Sequence, residues 1–578
     1  MLVHLRQYLT ASCAGFALLA TALPKLDADD TAAPPSAVLF QSDPAAFPAL
    51  NPGTDSATNP ADGSASNSGA TTSAGPDSPV TTATMPFELA PVTPAPPVST
   101  ASAKAPGPAK PPPQPWKNCF FDNDFSYKKD PKHTPLFGEN FKDVPVNEFF
   151  PLEMLEETRI SVGGEIRWRY MDENNRLRAP FGSPGRSTYD LVRWRNYLDV
   201  KHSDWFRGYI EMIDASTYNN DLPITGIDKN RFDIQNAFVD LKILERDDKP
   251  VWFRVGRQEL NFGSQRLISP LDWANTRRNF EGLRINSPGA TWDLDAWLTH
   301  PVNTANFGSG NGVGSGLGVN QNGTKLDSAN YDVTFGGAWA TYKGIKDHTI
   351  HSFFLWDHHQ SPFPGGAGFP VGNRYTYGHQ WLGNFNAGGG DRVWLTDVEG
   401  GYQFGTDHNV PVQAGYFTGG LGHTWKKLPW EPTVWGFYDY ASGDNNRNDG
   451  VNSTFFQYYG LTHAYMGLID NIARQNISDI NYRVQLKPTK KIQLMAAQHF
   501  FQLANSHDRL YTVTGQPIGS AGHGTDIGNE VDFTATYTYN QNLSFEAGYF
   551  FFQYGSYVQS VAPRGNADQF YVSTTLKY

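Results

Sequence analysis

Arginine is the residue whose type and spacing could do chemistry in this chain. Of the 24 arginines after residue 150, 17 lie between Arg159 and Arg284. Many of them alternate with apolar neighbours. Arg167 and Arg169 alternate with Ile166, Trp168 and Tyr170. Arg193, Arg195 and Lys201 share a face with Tyr197 and Asp199, opposite Val192, Trp194, Leu198 and Val200. Arg207 opposes Phe206 and Ile210, and Arg254 opposes Phe253 and Val255. Arg284 opposes Leu283 and Ile285, and Arg483 opposes Tyr482 and Val484. A guanidinium pairs with a carboxylate through two parallel hydrogen bonds and stays charged at every relevant pH. A wall dense in such groups suits an acidic sugar polymer or smaller anions. Glu165, Asp199, Glu211 and Asp240 stand in the same stretches, so a wall neutralised by internal ion pairs is the competing expectation.

Other chemistry is weakly signalled. Arg266, Arg277 and Arg278 fall where alternation lapses, so they either fold inward and narrow a passage or face solvent on an outer loop. The glycine-rich stretch from Gly308 to Gly318 matches neither a phosphate-binding loop nor a Gly-x-Ser-x-Gly elbow. His351, His358 and His359 are close in sequence but lack a Cys or second His cluster at metal spacing, so no metal site is expected. Asp444 to Gly450 resembles a calcium loop with its glycine one place late, and Phe455 stands where the bidentate Glu belongs. A Ser/His/Asp set is recognised by geometry and none can be picked here. The expectation is a non-enzymatic protein without a cofactor.

The elements that must position these arginines are strands. The chain has 578 residues, 18% charged and 39% hydrophobic, with 14% aromatics and 56 glycines. Its formal charge of −11 gives no basic face for nucleic acid. After residue 25 there is no apolar run of about 18 residues, which excludes helical membrane spans. A transmembrane β-barrel stays open, because its apolar residues sit at every second position and hydropathy averages hide them.

The period is indeed two. From Arg159 to Tyr170 one face takes Ile160, Val162, Gly164, Ile166, Trp168 and Tyr170. Near the C-terminus Val531, Phe533, Ala535, Tyr537 and Tyr539 alternate with Glu530, Asp532, Thr534, Thr536 and Thr538. The last stretch aligns Phe570, Val572, Thr574, Leu576 and Tyr578. A soluble sandwich also alternates, but these strands run about 10 residues or more, with aromatics near their ends. Eighteen such stretches run from 159–170 to 567–578, and an even number puts both barrel ends on the periplasmic side. Tight turns, such as Ser203-Asp204 and Asn540 to Asn542, alternate with long loops at 300–330, 358–372, 442–475 and 503–528.

The segment ahead of the strands has three parts. Residues 1–22 read as a cleavable signal peptide, with Arg6, an apolar run and a small-residue site at Ala20-Thr21-Ala22. Residues 23–115 read as a disordered linker rich in Pro, Ala, Ser and Thr; 24–115 holds 20 of the 40 prolines. Residues 116–158 read as a short periplasmic lead-in. Cys13 lies in the signal, so Cys119 is left without a disulfide partner.

Val255-Gly256-Arg257-Gln258-Glu259-Leu260, Gly263 to Leu267 and Arg277 to Gly282 resemble the alginate export porin family. So do Tyr438-Asp439-Tyr440-Ala441-Ser442-Gly443-Asp444, the run His463 to Gly467, Asp470, and Gly163 to Arg169. The resemblance covers about 159–578. It implies an 18-stranded outer-membrane barrel, and in founding members an arginine-lined pore that carries the polyuronate alginate outward. Membership does not fix alginate as the cargo.

The combined expectation is an all-β chain: an 18-stranded antiparallel transmembrane barrel over 159–578, preceded by a disordered linker. It would sit in the outer membrane as a monomer, passing an anionic polysaccharide or smaller anionic solutes, with periplasmic export components as partners. A passive general porin and a non-conducting surface adhesin are the alternatives.

Overall fold

The computed structural model describes residues 115–129, 137–177, 185–222, 224, 226–302, 326–360, 371–387, 390–513 and 515–578. The signal peptide, nearly all of the linker and the stretch Gly308 to Gly318 lie outside the described residues.

Eighteen long antiparallel strands close into one sheet. The first nine are β1 (Thr158–Asn174), β2 (Arg186–His202), β3 (Phe206–Tyr218), β4 (Asn230–Arg246), β5 (Lys249–Gln258), β6 (Phe280–Ser287), β7 (Trp292–Pro301), β8 (Val333–Tyr342) and β9 (His348–His359). The rest are β10 (Gly372–Ala387), β11 (Arg392–Asp407), β12 (Val410–Trp425), β13 (Thr433–Ala441), β14 (Ile477–Leu486), β15 (Ile492–Leu503), β16 (Asp526–Thr538), β17 (Leu543–Tyr554) and β18 (Ala567–Lys577). Each pairs with its neighbours in sequence, and β1 pairs with β18 from Glu165 opposite Lys577 to Asn174 opposite Asp568. The ring therefore has no free edge, which a bilayer demands because lipid cannot satisfy an open ladder.

Side chains divide by the pleat. Ile166, Trp168, Trp194, Leu198, Ile210, Val239, Val255 and Leu283 stand exposed on the outside. Their alternate neighbours, Arg167, Arg193, Arg195, Tyr197 and Tyr209 among them, are buried on the inside. Such an apolar outer band is stable only against lipid. At one end the connections are short. Asp247-Asp248 joins β4 to β5 with φ of 53° and 57°, the double left-handed turn that matches strand twist. The other end carries the long connections, except that His408-Asn409, φ 51° and 66°, turns β11 directly into β12.

Two of the long connections fold inward. Loop 259–279, between β5 and β6, and loop 442–476, between β13 and β14, are buried over most of their length. Phe262, Leu267, Ile268 and Trp273 from the first join Phe455, Tyr459, Met466 and Ile472 from the second in one apolar cluster, packed on wall residues such as Phe280, Trp297, Phe335 and Trp339. A third inward element comes from the lead-in ahead of β1. Trp116, Cys119, Phe120, Phe121 and Phe125 pack against Tyr197, Tyr209 and Phe238, inner-face residues of β2, β3 and β4.

Candidate functional site

The inner wall places basic and acidic side chains on adjacent strands. Arg193 donates to Glu165 at 2.9 and 2.6 Å and to the Asp272 carboxylate at 2.7 Å. Arg195 donates to Glu211 at 2.6 Å, and Arg207 to Asp199 at 2.7 Å. Arg254 holds both oxygens of Asp240, at 2.7 and 2.8 Å, and Arg284 bonds Asp295 at 2.8 Å. The four carboxylates noted from sequence are thus all engaged, each by an arginine on a neighbouring strand.

Three wall arginines are held differently. Arg167 donates to the main-chain oxygens of Asp272, at 2.7 Å, and of Trp273, at 3.2 Å. Arg169 donates to the Trp273 oxygen at 2.8 Å while its guanidinium lies 3.6 Å over the Trp273 ring. Arg483 donates to the Ala464 oxygen at 2.9 Å. Among the described residues none of these three makes an ion pair with a carboxylate within 4.0 Å. A carbonyl accepts the hydrogen bond without cancelling the charge.

The inward loops are pinned by their own arginines. Arg266 reaches Asp397 at 2.7 Å and Glu399 at 3.0 Å on β11. Burial works against its charge, yet Asp397, Tyr465 and Glu399 together hold its pKa well above the ordinary value. Arg277 pairs with Glu259 and Asp272 and donates to the Asn118 oxygen at 3.0 Å. Arg278 donates to the Ser269 oxygen at 3.2 Å and to the Tyr459 oxygen. Burial also opposes ionisation of Asp272, but Arg193, Arg277 and Arg167 keep its carboxyl well below the usual range.

The two loops pair with each other across the interior. Ser269 N donates to Tyr459 O at 3.0 Å, Tyr459 N to Leu267 O at 3.0 Å and Leu461 N to Gln265 O at 2.7 Å. Contact is so close at Gly460 that any Cβ there would collide with the Arg266 carbonyl oxygen. Gly467, at φ +83°, leaves room for Glu530 in the same way.

The lead-in meets the same wall. Arg207 Nη2 donates to Phe121 O at 2.6 Å. The guanidinium of Arg195 lies 3.9 Å over Phe120, and that of Arg254 lies 4.6 Å over Phe121. Lys142 Nζ, buried, donates to Tyr578 O at 3.0 Å and sits 5.4 Å from the ring centres of Trp116 and Tyr197. Burial, with Lys128 adding to it, pushes this ammonium down to about 7.

The remaining candidates are used structurally. His351 Nδ1 lies 3.0 Å from both Trp339 Nε1 and Thr341 Oγ1, and His359 lies 2.8 Å from Asp357. Asp444 takes part in a loop tied by Asp508, which accepts from Asp444 N at 3.0 Å. Among the described residues no group of three or more His, Cys, Asp or Glu side chains could hold a metal ion. Sequence reasoning missed Asp272, Asp397 and Glu399 as partners of the arginines, and the aromatic pair Phe120-Phe121. The motifs that carried the resemblance did mark the two inward loops, without indicating where they fold.

A closed barrel of 18 strands with a lipid-facing apolar band is an outer-membrane barrel of the porin class. The alginate export family model matches residues 158–572, and the chain belongs to that family. No curated protein matches the chain. Among solved structures, OccK8 (OprE) of Pseudomonas aeruginosa is similar at TM-score 0.48 and 14% identity, covering 72% of this chain and 98% of that one. OpdQ of the same organism is similar at TM-score 0.47 and 12% identity, covering 72% and 97%. Likeness at this level brings no cargo with it.

Proposed function

We propose that this barrel passes an anionic polysaccharide of the polyuronate class, or smaller anionic solutes, across the outer membrane. Arg167, Arg169, Arg193, Arg195, Arg207, Arg254, Arg284 and Arg483 form the anion path, and Arg266, Arg277 and Arg278 belong to the loops that narrow it. The observation that supports this reading best is the set Arg167, Arg169 and Arg483, which bond carbonyls and a ring and, among the described residues, make no ion pair within 4.0 Å. The ion-paired arginines add weaker sites, and weak repeated sites are what a conducting path needs so that cargo can leave. The chain reaches its site by the signal at 1–22 and acts as a monomer without catalytic chemistry, with residues 23–115 as a linker and periplasmic export components as partners.

The test is block of single-channel conductance by a polyuronate chain. Wild type should be blocked, and Arg167→Gln and Arg483→Gln should each weaken the block several-fold. Conductance indifferent to the polymer would leave a passive general porin. The interior packing of loops 259–279 and 442–476 favours a second alternative, a non-conducting surface adhesin, which absence of any conductance would support.

A further inference from the structure

Three arginines of the proposed path, Arg195, Arg207 and Arg254, are already occupied by part of the chain itself. Residues 116–125 enter from the short-turn end and present two kinds of group to the wall. Main-chain oxygens accept from Arg207, at Phe121 O, and from Arg277, at Asn118 O, at 2.6 and 3.0 Å. The rings of Phe120 and Phe121 take the guanidinium faces of Arg195 and Arg254. Asp122, next in the chain to Phe121, is exposed inside the barrel; the enclosing protein raises its pKa, against the lowering pull of Arg254, Arg284 and Arg207. An acidic sugar chain would offer the same two features: oxygen acceptors and an apolar ring face. Arg254 Nη1 is buried and has no hydrogen-bond partner among the described residues, so the site can take a further acceptor.

The segment is seated without being woven in. Phe120 meets Tyr197 at 5.7 Å between ring centres, and Phe121 meets Tyr209 at 5.8 Å and Phe238 at 5.3 Å. Its own backbone bonds are short-range turns over Phe120–Asp122 and Ser126–Lys129. Among the described residues it forms no ladder with a barrel strand, so it can leave without opening the sheet.

We propose that residues 116–125 are an internal pseudo-ligand, a plug that holds part of the arginine wall at rest through the Asn118 and Phe121 oxygens and the Phe120 and Phe121 rings, and that an entering polyanion displaces it. The identity of the displacing ligand rests on the polyuronate reading above; the plug itself does not. A chain with many carboxylates competes at several of these contacts at once, whereas a free uronic acid competes at one, so displacement selects for polymer.

The test compares wild type, Phe120→Ala/Phe121→Ala and Asp122→Asn in planar bilayers under a potassium chloride gradient. The double variant should conduct at least three-fold more than wild type. Asp122→Asn, at an exposed position that should leave folding intact, should shift the reversal potential toward that of chloride. A uronate hexamer should then block the double variant at lower concentration than wild type, and the monomer should not. Unchanged conductance in a folded double variant, or an unchanged reversal potential in Asp122→Asn, overturns the plug. Should the double variant fail to fold, the Asp122→Asn result decides alone. Variants that behave as expected in salt while ignoring the hexamer sustain the plug and sink the polyuronate reading; equal hexamer block of all three with wild-type conductance does the reverse.

Discussion

The indole of Trp273 and the imidazole of His463 stack 4.0 Å apart at an interplanar angle of 19°. Both also bond one carboxylate: Trp273 Nε1 reaches Asp470 Oδ2 at 3.0 Å, and His463 Nδ1 reaches the same oxygen at 2.8 Å. Two loops far apart in sequence are thereby locked together inside the barrel. Arg169 stacks on this indole from the wall, and Tyr571 meets it edge-on at 5.0 Å.

Trp273→Ala removes the stack, a hydrogen bond and the seat of Arg169 together. Loss of a buried indole costs about 3–5 kcal/mol, and here it should fall on loop docking rather than on the strand ladder. Single-channel recording should show a larger, noisier conductance, while heat-modifiable migration of the folded barrel stays close to wild type. A quiet wild-type trace would mean that the two loops do not depend on this contact.

Two glycines in the inner loop separate steric need from backbone freedom. Gly460→Ala forces a Cβ into the Arg266 carbonyl and should part the two loops, with raised conductance and faster proteolysis of 442–476. Gly450, at φ +80°, has nothing within 4 Å of a built Cβ. Gly450→Ala should therefore cost only about 1 kcal/mol, the strain of the left-handed backbone, and leave conductance unchanged.

Ile166 lies at the middle of β1, exposed on the outer face. Ile166→Arg should destabilise the barrel by about 2–4 kcal/mol, the cost of a cation at the lipid midplane. Urea titration in lipid vesicles checks it. A near-zero change would show that this face does not meet lipid.

Lys142 should make docking of the lead-in depend on pH. Its folded pKa, about 7, lies below the ordinary lysine value of 10.5, so between those limits the unfolded segment binds more protons than the docked one. Stability then rises with pH across that window and is lowest, and flat, below about 7. Hydrogen exchange of residues 116–129, taken as the ratio of wild type to Lys142→Met at each pH, should show protection growing from pH 7 to pH 10. A ratio constant with pH would contradict it.

What the sequence disclosed follows from the range of each interaction. Strand alternation is local, so Ile166, Trp168 and Tyr170 could be separated from Arg167 and Arg169 by inspection, and all 18 strands with them. Adjacent-strand partners were also within reach, since Glu165, Asp199, Glu211 and Asp240 each lie one strand away from the arginine they bond. The pairing of Arg266 with Asp397 spans 131 residues and depends on barrel curvature, which no periodicity carries. The short turns that seat Phe120 and Phe121 are aperiodic, so the lead-in showed its composition without its destination.

The central claim is that the path favours anions, and the reversal potential of the purified full chain in a planar bilayer under a salt gradient tests it most directly. The expected value lies toward the chloride equilibrium potential, and Arg167→Gln should move it back toward zero. A value toward the potassium potential, unmoved by that substitution, would contradict the account.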